Sequence, residues 1–528
     1  MRWLALILLA LAAPAAAEDY YCVKTTGTKG SGVSTTDIDA FGWANADCYA
    51  DPMTAIALMS GGDQLWIDDG SYTESVSNDY WIEVGSGLAG SSGDPTIITA
   101  RNPGEVDVSS VGGGVIVTAT SYITVIGIHV TTCADAKTAF TVGGEGSDQG
   151  DASDHVLMKR CSWQMDSGLT VNSSTYVTWE DCFAYGGPLR YAFQCGTSSL
   201  LDLTEHIVYR RCLVRWDYSN VSEPLGAFGN YNCEDVHYQN CVVVDGTDYE
   251  GQDNGCFDGA KAFFNPNGGG GTYTGCMAIA LSGFCGFWFE TQANITVSDC
   301  VAWNLSTIAE DYTEGYDPMT LVSSADTGTL LIENCTFGLN DCAGCADPAC
   351  GGAAMSPLSF DSDNTDQTMN SSIIYGMTLY TGYYAVDGDL NAGDYNLYYG
   401  NTGGRNRSGG VAANDITATD PLTAGLFYVT QIEPCSFCQT AGENGGQIGA
   451  QIKTKIGVDG TFYGDTDWNL DTGAPLWPFP YEDQIREKCA AFFMAAGAAY
   501  SGSPEMDGAR GFCAPGRTLT SWLLSGGE

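Results

Sequence analysis

From Pro95 onward, short runs of alternating apolar residues recur along the chain, and seven of them close in the same way. A polar residue or glycine is followed by cysteine and then, in most cases, by apolar residues. The set is Arg160-Cys161, Asp181-Cys182, Arg211-Cys212, Asn240-Cys241, Gly275-Cys276, Asp299-Cys300 and Asn334-Cys335. Neighbouring cysteines lie 21 to 35 residues apart, which suits a coil of fixed frame carrying loops of variable length. Aligned on the cysteine, the position five residues earlier reads Val156, Val177, Ile207, Val236, Ile295 and Leu330. Three earlier it reads Met158, Trp179, Tyr209, Tyr238, Val297 and Ile332. Two apolar columns at period two predict an inward strand face. The column two before cysteine, Lys159, Glu180, Arg210, Gln239, Ser298 and Glu333, is polar and predicts a face turned to water. The signature cysteines themselves are expected to point inward as small buried hydrophobes.

Repeats of this kind stack into one solenoid and escape the usual limit on domain size, because each coil packs only on its neighbours. The predicted organisation has four parts. Residues 1–17 carry Arg2, an apolar run from Leu4 to Ala13 and the small-residue site Ala15-Ala16-Ala17, a secretory signal expected to be cleaved after Ala17. Residues 18–62 form an irregular lead-in and a capping helix, signalled by Asp51-Pro52 before Met53–Met59 and by Gly61-Gly62 after it. Residues 63–419 form the β-helix, and 420–528 a final coil and C-terminal cap with a helical stretch from Glu482 to Tyr500. No later segment is apolar for long enough to span a bilayer, so a secreted or cell-surface protein without a membrane span is expected.

Charge narrows the partners. The chain carries 20 Lys and Arg against 64 Asp and Glu, a formal net charge of −44. Nucleic acid and other polyanions are repelled at long range, and any acidic partner needs a bridging cation or a local basic patch. Twenty-one cysteines in an exported chain point to disulfides outside the repeat column, and the pairs expected are Cys22 with Cys48, Cys435 with Cys438, and Cys489 with Cys513.

The chain resembles the pectin-lyase-like right-handed parallel β-helix superfamily across roughly 50–450. The residues that carry this are the opening helix with Gly62-Asp63 and Gly70-Ser71-Tyr72-Thr73-Glu74, the strand Pro95-Thr96-Ile97-Ile98-Thr99-Ala100, the Asn-Cys coil ends, and Asp420-Pro421-Leu422 with Gln447-Ile448-Gly449-Ala450. The resemblance implies an all-β, single-stranded right-handed parallel β-helix that engages extracellular polysaccharide in a groove along one outer sheet. It is poorly specific for activity.

A uronate lyase needs a base beside the carbon that loses its proton and a cation to hold the carboxylate. The one basic patch of the sequence lies between His155 and His237. It supplies Lys159 and Arg210 as candidate catalytic residues and Arg211 and His237 as candidate substrate contacts, with Trp216 and Trp288 as rings on which a sugar face stacks. The competing reading pairs these cations with Glu180, Asp181 and Glu205 on solvated strand faces. Asp245, Asp248, Asp253 and Asp258 crowd one Gly-rich loop and are the candidate calcium ligands, with Asp465-Thr466-Asp467 a weaker one. Neither a Gly-x-Ser-x-Gly elbow nor a phosphate-binding glycine loop occurs. The leading reading is therefore a calcium-assisted polysaccharide lyase acting by β-elimination on uronate glycans. The alternative is a non-catalytic structural or adhesive surface solenoid.

Overall fold

The structure is a computed structural model that describes residues 18–35, 43, 47–74, 80–133, 138–144, 151–164, 168–186, 191–196, 204–216, 226–246, 261–266, 269–282, 285–290, 294–306, 321–323, 328–340, 357–360, 366–379, 383–388, 390, 393–496 and 510–527. The predicted signal segment lies outside them.

Three twelve-stranded parallel sheets run the length of the molecule. The chain visits the first, second and third sheet in turn and then begins the next coil. The first sheet extends from Tyr20–Val23 to Gln367–Asn370, the second from Gly70–Glu74 to Leu397–Tyr399, and the third from Tyr80–Val84 to Arg405–Arg407. This is a right-handed parallel β-helix. The helix Pro52–Ile56, whose N-cap Asp51 accepts from the Met53 and Thr54 amides, packs Ala55 and Ile56 into the core at the first coils.

The cysteine-aligned columns are the register of the first sheet. Val156, Val177, Ile207 and Val236 pair in succession, as do Met158, Trp179, Tyr209 and Tyr238, and all eight are buried. Inside the coil, identical residues meet their own kind one rung away. Tyr209, Tyr238 and Tyr273 stack at 5.2 and 4.6 Å, and Phe193, Phe228, Phe263 and Phe287 stack at 4.7, 5.2 and 4.9 Å.

The signature marks a corner of constant length. In eight successive coils two residues join the first sheet to the second, from Lys159 and Ser162 to Asn370 and Ile373. The first corner residue is left-handed, with φ between 49° and 64° at Arg160, Asp181, Arg211, Asn240, Gly275, Asp299, Asn334 and Ser371. Asn, Asp and Gly tolerate that conformation best, which explains most of the column. The second points inward. All seven signature cysteines are at most 1% exposed, and from Cys182 onward each thiol donates to a carbonyl of the coil before it, as Cys212 does to Trp179 O at 3.4 Å and Cys241 to Tyr209 O at 3.3 Å.

Beyond Asp420 the chain closes the last coil with Leu426, Ile432, Cys435, Cys438 and Ile448 and then turns back along the outside of the helix. This returning strap includes a hairpin, Thr454–Ile456 with Asp471–Pro475, and two helices, Glu482–Ala496 and Leu519–Ser525. It covers the outer face of the second sheet, where Phe183, Leu213, Val242, Val244, Met277, Ile279 and Val301 pack against Ile452, Leu476, Phe479, Ile485, Phe512 and Leu523. At its far end Gln484 bonds Pro103 O at 2.9 Å and Lys488 pairs with Asp107 at 2.8 Å. Cys22–Cys48 and Cys435–Cys438 are disulfides as expected, whereas no disulfide joins Cys489 and Cys513, and Cys513 Sγ accepts from Arg215 on the second sheet.

Candidate functional site

The strap descends the row of left-handed corners and is held there by their side chains. Ser371 accepts from Glu443 N, Asp299 from Gln447 Nε2 at 2.8 Å and Gln451 N at 3.0 Å, and Asn240 from Ile456 N at 3.0 Å. Arg211 donates to Ile456 O and Asp459. The corner residues Arg211, Asn240, Asp299 and Ser371 thus have two tasks, to turn the backbone and to dock the strap.

Half of the polar column beside the corners is not turned to water, contrary to expectation, whereas Lys159, Ser298 and Glu333 stay partly exposed. Glu180, Arg210 and Gln239 are buried beneath the hairpin loop 457–470. Arg210 Nε donates to Gln239 Oε1 at 3.0 Å, Nη1 to Glu180 Oε2 at 3.0 Å and Val458 O at 2.8 Å, and Nη2 to Trp468 O at 2.9 Å. Gly457 permits this close approach: its φ is +75°, and a Cβ there would lie 2.5 Å from the guanidinium carbon. Lys159 Nζ pairs with Glu180 Oε1 at 2.6 Å. Arg211 pairs with Asp181 at 2.6 Å and Asp459 at 2.7 Å. Burial works against the charged form of Glu180, but Arg211, Lys159 and Arg210 together hold its carboxyl below the usual carboxylate range. Arg210 and Lys159 therefore surround one buried carboxylate, and Arg210 has no open face.

Glu180, Asp181 and Asp459 offer oxygens within 4.8 Å of one another, the geometry of a cation site. The donor set does not fit one. Three cations already neutralise these three carboxylates, and their guanidinium and ammonium hydrogens occupy the oxygens that calcium would need. Of the candidate calcium loop, Asp248, Asp253 and Asp258 lie outside the described residues. Asp245 accepts from Phe512 N at 2.9 Å and Trp522 Nε1 at 2.6 Å, docking the end of the strap. Asp465 accepts from Phe462 N at 2.9 Å within the hairpin loop.

A half-buried line of rings runs beside this network. Tyr122, His155, Tyr176 and His206 share the second position of successive first-sheet strands, all at φ between 51° and 60°, which lifts them out of the ladder. They stack at 4.5, 4.8 and 5.0 Å, and Tyr463 from the strap continues the row, 4.6 Å from His206 and 5.4 Å from His237. Asp235 accepts from His206 Nδ1 and His237 Nε2, both at 2.9 Å, and from the Tyr463 hydroxyl at 2.5 Å. The His237 bond depresses the Asp235 carboxyl well below its ordinary range, partial burial opposes this, and Tyr463 and His206 add to the depression. His237 also meets Trp468 edge to face, with ring centroids 4.8 Å apart. Trp288 is buried on the outside of the third sheet with Tyr191 and Phe264, its ring 5.1 Å from the Lys261 ammonium, so it offers no open stacking face. The side chain of Trp216 lies outside the described residues.

The patch between 155 and 237 thus exists in space, but Asp235, Asp459, Tyr463 and Trp468 complete it. Asp235 lies within the patch, two residues before His237, whereas nothing in the sequence joins the patch to the strap residues, more than 220 positions further on. The available signal was the unbroken apolar run of strands such as Val242-Val243-Val244, which marks a sheet covered on both faces.

Asp299 gives the strap a pH dependence. Burial raises its carboxyl to about 6, against the hydrogen bonds from Gln451 and Gln447. A carboxyl raised on folding favours the folded state below its unfolded value, and that contribution is lost as pH rises through about 6. Asp299→Asn is expected to raise the melting temperature relative to the parent at about pH 8, and the difference should shrink towards about pH 4. A difference independent of pH would contradict this titration.

No protein-family model matches the chain, and no curated protein matches it. Solved structures do. A PL6 family alginate lyase, AlyGC, is 10% identical with a TM-score of 0.39 over 70% of this chain, which spans 52% of that protein's length. The pectate lyase Pel9A is 14% identical, TM-score 0.33, covering 68% of this chain and 77% of its own. The A-module of the Azotobacter vinelandii mannuronan C-5 epimerase AlgE4 is 13% identical, TM-score 0.34, over 76% and 98% of the two chains. Among the described residues no helix is long and apolar enough to cross a membrane.

Proposed function

We propose that the protein is an exported β-helix that interacts with extracellular polysaccharide through the outer face of its first sheet. The observation that supports this reading is the gathering of three of the four histidines, His155, His206 and His237, on one half-buried face of a chain whose net charge is −44. The ring row Tyr122, His155, Tyr176 and His206 places one half-buried ring per coil, at centroid spacings of 4.5 to 5.0 Å. The disulfides Cys22–Cys48 and Cys435–Cys438 suit an oxidising compartment. Arg210 and Lys159 take charge-neutralising roles in this reading; a guanidinium is in any case a poor base, since it stays protonated.

A second reading, β-elimination on a uronate glycan, is favoured by one constellation. His206 and His237 are both oriented by Asp235 with the Tyr463 hydroxyl alongside, a set able to take and return a proton. Its calcium-assisted form rests on the loop bearing Asp248, Asp253 and Asp258. One experiment tests both readings. The protein is titrated with neutral and uronate polysaccharides, with and without calcium, while binding and the absorbance of unsaturated products are followed. Binding that falls about tenfold in His155→Ala with Tyr176→Ala supports the first reading. Product that appears and is lost in His237→Gln supports the second. No binding and no product across the panel would leave a structural or adhesive solenoid.

A further inference from the structure

We propose that Asp459 is a built-in pseudo-ligand, occupying a carboxylate subsite on the first-sheet face and keeping that face silent towards acidic polysaccharide. The inference rests on the polysaccharide-interacting reading of the same face and adds its regulation.

The charges of the cluster define the subsite. Three strand cations, Lys159, Arg210 and Arg211, meet only two strand carboxylates, Glu180 and Asp181. The strap supplies the third negative charge through Asp459, whose Oδ1 lies 2.7 Å from Arg211 Nη2. The Arg211, Lys455, Lys159 and Arg210 charges outweigh partial burial and keep that carboxyl below its ordinary range, so it is ionised at neutral pH. Without Asp459 one positive charge is left for which the sheet has no partner. A single carboxylate is therefore the ligand the site is built to take, and an acidic sugar residue carries one.

The place is also reachable. Arg210 is sealed by the carbonyls of Val458 and Trp468, but Asp459 stands at the rim, its side chain 49% exposed while that of Arg211 is 0% exposed. Removing the Asp459 side chain opens Arg211 to solvent and leaves the other bonds of the loop in place, including Gly460 N to Glu180 Oε2 at 2.8 Å. His206, a member of the ring row, lies on the same strand as Arg210, four residues earlier, with Tyr463 of the strap stacked on it.

The test uses the full chain and oligogalacturonate as probe, with calorimetry for affinity and thermal melting for folding. Asp459→Ala is expected to bind oligogalacturonate at least about tenfold more tightly than the parent. Asp459→Asn, which keeps an acceptor for Arg211 and loses the charge, is expected to gain less. The gain should vanish in Asp459→Ala with Arg211→Gln, and Asp483→Ala, which removes an exposed charge elsewhere on the strap, should give none. A folded Asp459→Ala or Asp459→Asn protein with no gain overturns the proposal. So does a gain that survives Arg211→Gln or is matched by Asp483→Ala, since either would report overall charge alone. Binding of neutral glycans by the parent bears on the broader reading only, so the two fail separately.

Discussion

Glu180→Ala is expected to lower the stability of the folded chain by about 3–5 kcal/mol, the usual cost of removing one partner from a buried ion pair. Glu180 is fully buried and takes Lys159 on one oxygen, with Arg210 and the Gly460 amide on the other. Its loss strands Arg210, which has no route to water beneath the carbonyls of Val458 and Trp468. Because a solenoid is stabilised coil by coil, the damage should be local at first, with loop 457–470 lifting before the coils separate. Denaturant titration read by tryptophan fluorescence, to which Trp468 contributes, should show an early transition absent from the parent. Adding Arg210→Met to Glu180→Ala is expected to recover much of the loss, since an apolar side chain of similar length leaves no stranded charge. A Glu180→Ala protein that melts with the parent in a single step would mean that water reaches Arg210.

Ending the chain at Thr419 is expected to have the largest effect of all. The coils would remain, but the outer face of the second sheet would present Phe183, Leu213, Val242, Val244, Met277, Ile279, Val301 and Trp303 as one continuous apolar stripe. Soluble monomers rarely expose so much contiguous apolar surface. The truncated chain should aggregate or bind a hydrophobic dye strongly, and Val242→Thr with Val244→Thr and Ile279→Thr should partly restore its solubility. A truncated chain that is monomeric, dye-silent and as heat-stable as the parent would show that the strap is an ornament of the fold.

What the sequence disclosed follows from periodicity. Val156, Val177 and Ile207, or Met158, Trp179 and Tyr209, recur because every coil solves the same packing problem, and the cysteines recur because one corner has room for a small inward side chain. The strap repeats nothing. It docks through single residues, Asn240, Asp299 and Ser371, whose polarity a left-handed corner already explains, so their second task left no separate trace. Lys159 and Arg210 were legible as scarce cations on one face, but water and a strap call for different neighbours, and only Gly457, where a side chain would meet the Arg210 guanidinium, distinguishes the two by its chemistry. Trp288 shows the same limit, since an aromatic on an outer face reads alike whether bare or covered.

The strap reaches from the Ser371 corner to Pro103 and Asp107, a distance of nine coils or about 40 Å at the spacing of parallel strands. Each of its anchors belongs to a particular rung. Duplicating or deleting one rung would slide every later anchor by a full spacing past its partner, so the return segment acts as a gauge of length. Most stacked-repeat chains are free to grow or shrink by whole units; this one is committed to its present number.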